Sequence, residues 1–259
     1  MESTKQILLD EAYKVYNNAC KQQISEIRYS NNECIDAQLH DLKNYPYLFV
    51  LACVMDRQIK AEQAWSIPYK VCESLGVNNF EELSNSTEEQ IINCFNKEKL
   101  HRFNNDMAIN FYKAIKRIKD VYNGDASRIW NDNPSSAEVV YRFLCFEGVG
   151  IKIATMATNI LARDFKIKFK DMKAIDVSPD VHVRRILNRL GLIEREGNDA
   201  AIYKAKEINP DFPGIIDLMC WKYGREYCHP TKPDCINCPL RNTCNYNKSV
   251  CTENKYKSK

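Results

Sequence analysis

SAEVVYRFLCFEGVGIKIATMATNILAR, residues Ser136–Arg163, consists of two apolar-periodic segments hinged on Glu147-Gly148-Val149-Gly150. The periodicity predicts one helix over Ser136–Phe146 and a second over Ile151–Arg163. Two glycines flanking one apolar residue permit a sharp turn, positive φ and close approach of another backbone. The second helix opens at the turn, so its unsatisfied N–H groups and positive dipole end point out of it. Such a hairpin can grip a nucleic-acid phosphate through its backbone without reading bases. A plain tight turn between packed helices is the other reading. In the second helix Ile153, Ala154, Ala157, Ile160 and Leu161 form an apolar stripe. Lys152, Thr155 and Asn159 fall on another side, expected to face a cleft.

Working outward, the same helical period recurs along the chain, and no convincing alternating strand is found. It predicts helices over Lys5–Lys21, Tyr47–Met55, Ala61–Leu75, Thr87–Phe95, Asp106–Tyr122, Val181–Leu190, Asp199–Ile208 and Pro213–Tyr223. Asn123-Gly124, Asn133-Pro134, Ser178-Pro179 and Glu196-Gly197 mark the breaks. With only 8 glycines in 259 residues, a turn-rich β architecture is disfavoured. The expected fold class is all-α. This length allows one large domain or two small ones.

Hydrophobic residues are 44% and charged residues 27%, ordinary for a globular protein, and the net charge of +3 does not announce a polyanionic partner. Its distribution says more. RDFKIKFKDMK, residues 163–173, carries five basic and two acidic side chains, and the chain from Cys228 onward carries six and two. Such segments can neutralise phosphates or form a solvated face. The polar, lysine-rich tail after Cys244 is expected to be mobile. MESTKQ at the start lacks a basic region followed by an apolar core, so no signal peptide is expected. The longest apolar run, Tyr47–Met55, falls far short of the ~20 residues a membrane span needs.

Cys228, Cys235, Cys238 and Cys244 are spaced C-x6-C-x2-C-x5-C. Four thiolates in one short loop can surround a [4Fe–4S] cube. A zinc site more often pairs two short C-x-x-C hooks, and here only Cys235 and Cys238 form one. A disulfide framework would need an oxidising compartment that nothing else supports. Eight further cysteines, Cys20, Cys34, Cys53, Cys72, Cys94, Cys145, Cys220 and Cys251, lie outside this spacing. Several sit among apolar neighbours, where a free thiol packs as a small hydrophobe. A reducing cytosol fits.

The segment F-E-G-V-G-I-K-I-A (146–154) resembles the helix–hairpin–helix L-P-G-V-G-x-K-T-A of the endonuclease III family of DNA glycosylases. P-D-V-H-V-R-R (179–185) is similar to that family's V-D-x-H-[VI]-x-R segment. W-K-Y-G-R-E-Y-C (221–228) leads into the cysteine spacing as a glycine-containing segment does in the family, and M-D-R-Q (55–58) stands where the family has S-A-Q. The resemblance spans residues 45–245.

The resemblance implies two helical domains flanking a DNA-binding cleft. One would be residues 37–164 with the hairpin; the other would be 1–36 plus 165–259, holding a [4Fe–4S] cluster on the four cysteines. It implies a bifunctional glycosylase and AP lyase, a monomer acting on double-stranded DNA with a damaged base or abasic site, oxidised pyrimidines favoured. Lys152 takes the place of the nucleophile whose amine forms a Schiff base at the sugar, helped by desolvation and positive potential at the helix start. Its ordinary fate would be an exposed helix lysine. Asp180 takes the place of the acid/base or electrostatic partner, and it also stands at a normal N-cap position before Val183, Ile186, Leu187 and Leu190. Asp176 is the alternative carboxylate. Gln58 corresponds to the wedge that enters the duplex as the nucleotide leaves. Gly148, Val149 and Gly150 would hold phosphate, and Lys232 and Arg241 would touch the backbone.

Three departures touch the DNA-facing residues. Glu147 replaces the hairpin proline, Asp56-Arg57 replace small residues before the glutamine, and Arg163–Val177 is longer and more basic than the usual connector. A monofunctional glycosylase using Asp180 and water, and a non-catalytic DNA-binding or redox-sensing protein, are the alternatives.

Overall fold

The computed structural model describes residues 2–249 of the chain. In chain order the helices are α1 (Glu2–Lys21), α2 (Glu33–His40), α3 (Pro46–Met55), α4 (Ala61–Leu75), α5 (Phe80–Ser84), α6 (Glu88–Glu98), α7 (Asn104–Val121), α8 (Ser136–Leu144), α9 (Ile151–Arg163), α10 (Val181–Arg189), α11 (Asn198–Ile208) and α12 (Asp217–Glu226). No strand occurs among the described residues, so the chain is all-α. None of the described helices is long and apolar enough to cross a membrane. Two helices escape the periodicity. α2 is short and mixed in polarity, and it is started by the Asn32 side chain, which accepts from the Cys34 and Ile35 N–H groups. α5 is only five residues long, capped by Asn79 on the Glu82 N–H. Pro213–Ile216 is a 3-10 turn leading into α12.

The chain divides into two compact units. Gln22–Lys170 forms one, and the other joins α1 to the described residues from Asp171 onward. These limits differ from the expected 37–164 because both flanks pack into the Gln22–Lys170 unit. Tyr29 stacks on Trp65 at 4.7 Å and donates to Asp164 Oδ2 at 2.8 Å. Arg163 Nε donates to the other oxygen of the same carboxylate at 2.6 Å. Phe165 meets Phe49 edge-on at 5.4 Å, and Ile167 and Phe169 also pack on this core. The basic segment therefore alternates: Phe165, Ile167 and Phe169 turn inward, while Lys166, Lys168 and Lys170 are exposed.

The centre of the Gln22–Lys170 unit is α3, apolar on every side and buried at all ten positions. A helix with no polar face must be enclosed, and α2, α4, α7 and α9 enclose it. α8 and α9 pack against each other, and α8 opens with a capping box between Ser135 and Glu138. In the other unit α1 and α10 pack on α12 around Leu8, Ala12, Val183, Leu187, Met219 and Cys220. The tail after Cys244 starts helical. Residues 245–249 form a helical turn on which Arg189 rests, its guanidinium 4.4 Å from the Tyr246 ring centre. Cys251 and the rest of the tail lie outside the described residues.

Candidate active site

α3 ends at Met55, and the chain then turns tightly. The Arg57 N–H donates to the Met55 carbonyl at 2.7 Å, and Gln58, exposed, adopts φ +57. That left-handed conformation is uncommon outside glycine. Behind the turn lies His101, buried, its Nδ1 accepting from the Phe103 N–H at 3.0 Å. Burial holds the imidazole pKa below its ordinary value, against the backbone of Met55 and Arg57, which raise it. The ring's Nε2 makes no hydrogen bond of good geometry.

The hairpin between α8 and α9 divides its two glycines by role. Gly148 sits at φ +80, and a Cβ there would fall 2.5 Å from Asn110 Nδ2 and 3.9 Å from Arg57 Nη1. Gly150 is extended, at φ −103 and ψ 179, with no atom within 4 Å of where a Cβ would stand. Positive φ thus belongs to Gly148 alone, and Gly150 leaves open space in front of α9. No side chain caps that helix. Glu147 is exposed and stands 3.9 Å from Lys113, a surface pair that offsets its charge and adds little stability.

Asp56, Arg57, Gln58, Gly148, Val149, Gly150, Lys152 and Ile153 line one pocket of about 480 Å³. The structure therefore brings Lys152, the hairpin and Gln58 together within one unit. Lys152 Nζ lies 3.5 Å from Asp56 Oδ2, with 44% of the lysine side chain and 10% of the aspartate side chain exposed. Lys152 keeps its expected place in the first turn of α9, where the helix end is positive, and gains a carboxylate partner that sequence reasoning did not foresee. Thr155 and Asn159, expected beside it on an open face, are buried. Thr155 turns its hydroxyl back onto the Ile151 carbonyl at 2.8 Å, so only the first turn of α9 reaches the pocket. The pairing of Asp56 with Lys152, and Asn110 beneath Gly148, are features that sequence reasoning did not give. Asp56 could be noticed only as a departure from the family pattern, and Asn110 carried no signal.

In the other unit Asp180 is the N-cap of α10, accepting from the His182 and Val183 N–H groups at 2.8 Å each. Asp176 pairs with Lys206 at 3.2 Å through one oxygen, while the other is buried without a partner. Burial raises its pKa against the lowering effect of Lys206. On α10, Arg185 donates through Nε to the Cys228 carbonyl at 2.7 Å and through Nη2 to the Gly224 carbonyl at 3.0 Å. Arg189 donates to Cys228 Sγ at 3.2 Å and to the carbonyls of His229 and Pro230 at 2.8 Å. Lys232 is exposed. Arg241 is engaged within its own loop, donating to the Ile236 carbonyl at 2.9 Å.

No disulfide joins any of the eleven described cysteines. Cys228, Cys235, Cys238 and Cys244 are all partly buried. Burial pushes the Cys238 thiol up to about 11, and the charges of the other three push the same way, so they lie within its electrostatic reach. Yet no group of three or more His, Cys, Asp or Glu among the described residues is placed to hold a metal ion. The donor set suits an iron–sulfur cluster in kind, four sulfurs in one segment, without showing one.

This arrangement defines an all-α protein built around a helix–hairpin–helix, with a lysine at the hairpin. The fold is that of endonuclease III and its structural relatives, and the resemblance to that family holds in sequence as well. A solved endonuclease III–DNA covalent intermediate with an estranged adenine aligns with TM-score 0.57 at 19% identity, covering 89% of this chain and 99% of that one. A thermostable thymine-DNA glycosylase aligns with TM-score 0.61 at 16% identity, covering 96% and 98%. Endonuclease III from Thermotoga maritima is 35% identical over 68 residues, 26% of this chain and 32% of that protein. Endonuclease III homolog 2, chloroplastic, from Arabidopsis thaliana is 26% identical over 150 residues, 53% of this chain and 33% of that protein. The matched region thus spans about a third of each of these two relatives. No family model matches the chain.

Proposed function

We propose that this protein is a DNA glycosylase with AP lyase activity, acting on duplex DNA that carries a damaged base or an abasic site. The observation that carries this reading is the convergence of Lys152, Gly148–Gly150 and Gln58 on one pocket. The hairpin backbone and the start of α9 offer N–H groups to a phosphate. Gln58, exposed on a turn in a strained conformation, is placed to enter the stack as a nucleotide leaves it. The Lys152 amine attacks the sugar C1′ and displaces the base. The resulting Schiff base acidifies the adjacent carbon, and loss of its proton breaks the bond to the 3′ phosphate oxygen. Asp180, held at the start of α10, is the acid/base or electrostatic partner in this reading. Gly150, with open space before it, and exposed Lys232 are the phosphate contacts, whereas Arg241 serves first to hold its loop. Oxidised pyrimidines remain the favoured substrate class, with thymine, named for one structural relative, as the comparison.

Cys228, Cys235, Cys238 and Cys244 would hold a [4Fe–4S] cluster, which when bound supplies a rigid fixture for the surrounding loop. Arg189 and Arg185 already tie that loop to α10. Purified protein is expected to be brown, with on the order of four irons per chain; a colourless protein with one zinc per chain would replace the cluster with a zinc site.

The decisive test is borohydride reduction during incubation with abasic duplex, which is expected to yield a covalent protein–DNA adduct. The Lys152–Asp56 ion pair favours one competitor, a monofunctional enzyme in which the lysine is only a DNA contact. Base release without any adduct would establish that competitor. Neither base release nor adduct on any damaged duplex would leave a non-catalytic DNA-binding protein.

A further inference from the structure

We propose that Asp56 carries the proton of Lys152 through the Schiff-base step, taking it to free the amine and returning it to the departing water. This rests on the reading of Lys152 as a nucleophile. Asp56 is 8% exposed and is the C-cap of α3, an apolar helix. The C-terminal end of a helix carries partial negative charge and disfavours an anion. A carboxylate kept there needs a compensating cation, and Lys152 is the one paired with it. The rest of its surroundings are arranged rather than fluid. The turn is closed by the Arg57 N–H on Met55, continued by Gln58 at φ +57, and backed by buried His101. Backbone strain of that kind persists only where surrounding structure enforces it.

The chemistry balances without a further reagent. Asp56 accepts one proton from the Lys152 ammonium, and the free amine adds to the C1′ aldehyde of an abasic sugar to give a carbinolamine. Protonated Asp56 then gives the proton to the carbinolamine hydroxyl. The C1′–O bond breaks, water leaves, and the nitrogen lone pair forms the C=N bond of the iminium. Both groups line the same pocket, so an atom that reaches Nζ is also near the carboxylate. The 3.5 Å separation is long for direct transfer, as such pairs often are before substrate tightens them. The other charged or titratable groups around the turn and hairpin include the buried Cys53 thiol, within electrostatic reach of Asp56, with Arg57, His101 and Glu147, the last paired with Lys113.

The test is single-turnover borohydride trapping on abasic duplex with wild type, Asp56→Asn and Asp56→Glu, from about pH 6 to about pH 9.5. Proton-transfer groups contribute ~10²–10⁴-fold, so Asp56→Asn is expected to lose about 100-fold near neutral pH. The deficit should shrink as pH rises, because solution then supplies the free amine. Asp56→Glu, which keeps the carboxylate, should restore a substantial part. Trapping by Asp56→Asn equal to or faster than wild type would show that the carboxylate only neutralises the lysine, and would overturn the proposal. So would a deficit constant across pH, or Asp56→Glu no better than Asp56→Asn, either of which marks a structural role. If wild type itself forms no adduct, the nucleophile reading fails first and this one falls with it.

Discussion

Lys152→Ala is expected to lower borohydride trapping on abasic duplex by at least about 10³-fold, because loss of a nucleophile removes the covalent route itself, and such losses reach ~10⁶-fold elsewhere. Duplex binding should change far less, since one lysine is one charge contact among several. Truncation also strips Asp56 of its cation, and a nearly buried carboxylate left alone can distort the turn that carries Gln58. Lys152→Arg separates these effects. Its guanidinium keeps a positive charge within reach of Asp56 but cannot form the Schiff base. Both variants silent in trapping, with Lys152→Arg melting like wild type, is the expected pair of results. Full trapping by Lys152→Ala would place the nucleophile on another amine and dissolve the pocket assignment.

The parts of this site legible in the sequence are those written in neighbouring residues. The hairpin is a local event, two glycines between two periodic segments, and both helices form almost to their predicted limits. Asp180 was legible as an N-cap for the same reason. What escaped depends on distance along the chain. Asp56 meets Lys152 across 96 positions, and no period or spacing encodes such a meeting. Gly148 needs its glycine partly because Asn110 lies under it, and that too comes from another helix. Thr155 and Asn159 were misplaced because a polar side chain on a helix suggests an open face, whereas the hydroxyl of Thr155 can satisfy itself on its own helix. The unit limit near Lys170 was missed because Phe165, Ile167 and Phe169 alternate with lysines, and a basic composition hid an inward apolar face. In the cysteine segment the spacing was visible, but the hold of Arg185 and Arg189 on it was not.

Gly224→Ala reverses an ordinary rule. Inside a helix alanine is normally better than glycine by ~1 kcal/mol, so Gly224, in the body of α12, looks like a site for stabilisation. Here a Cβ would fall 2.4 Å from His182 Nδ1, 2.6 Å from its Cβ and 2.7 Å from its Cγ. These are not the free end of a flexible side chain. His182 Nδ1 is 2.9 Å from Arg185 Nη2, which also donates to the Gly224 carbonyl, so the imidazole has little room to retreat. Overpacking of this kind costs ~1–3 kcal/mol, and the closeness of three atoms puts the expected loss at about 2–3 kcal/mol, outweighing the helical gain. In a chain of this size that is a fall in Tm of roughly 5–10 °C. His182→Ala retains the Cβ and should recover only part of the loss in the double variant, whereas His182→Gly should recover more. A Tm raised by Gly224→Ala would mean that α10 and α12 do not approach as closely as described. The consequence reaches the candidate site residues of this unit. α10 starts at Asp180 and holds the Cys228 carbonyl through Arg185, so pushing it off Gly224 displaces the carboxylate and the cysteine segment together. Retention of the proposed iron–sulfur cluster in Gly224→Ala should therefore fall along with Tm, unlike the response to an equally destabilising change made at a distance from α10.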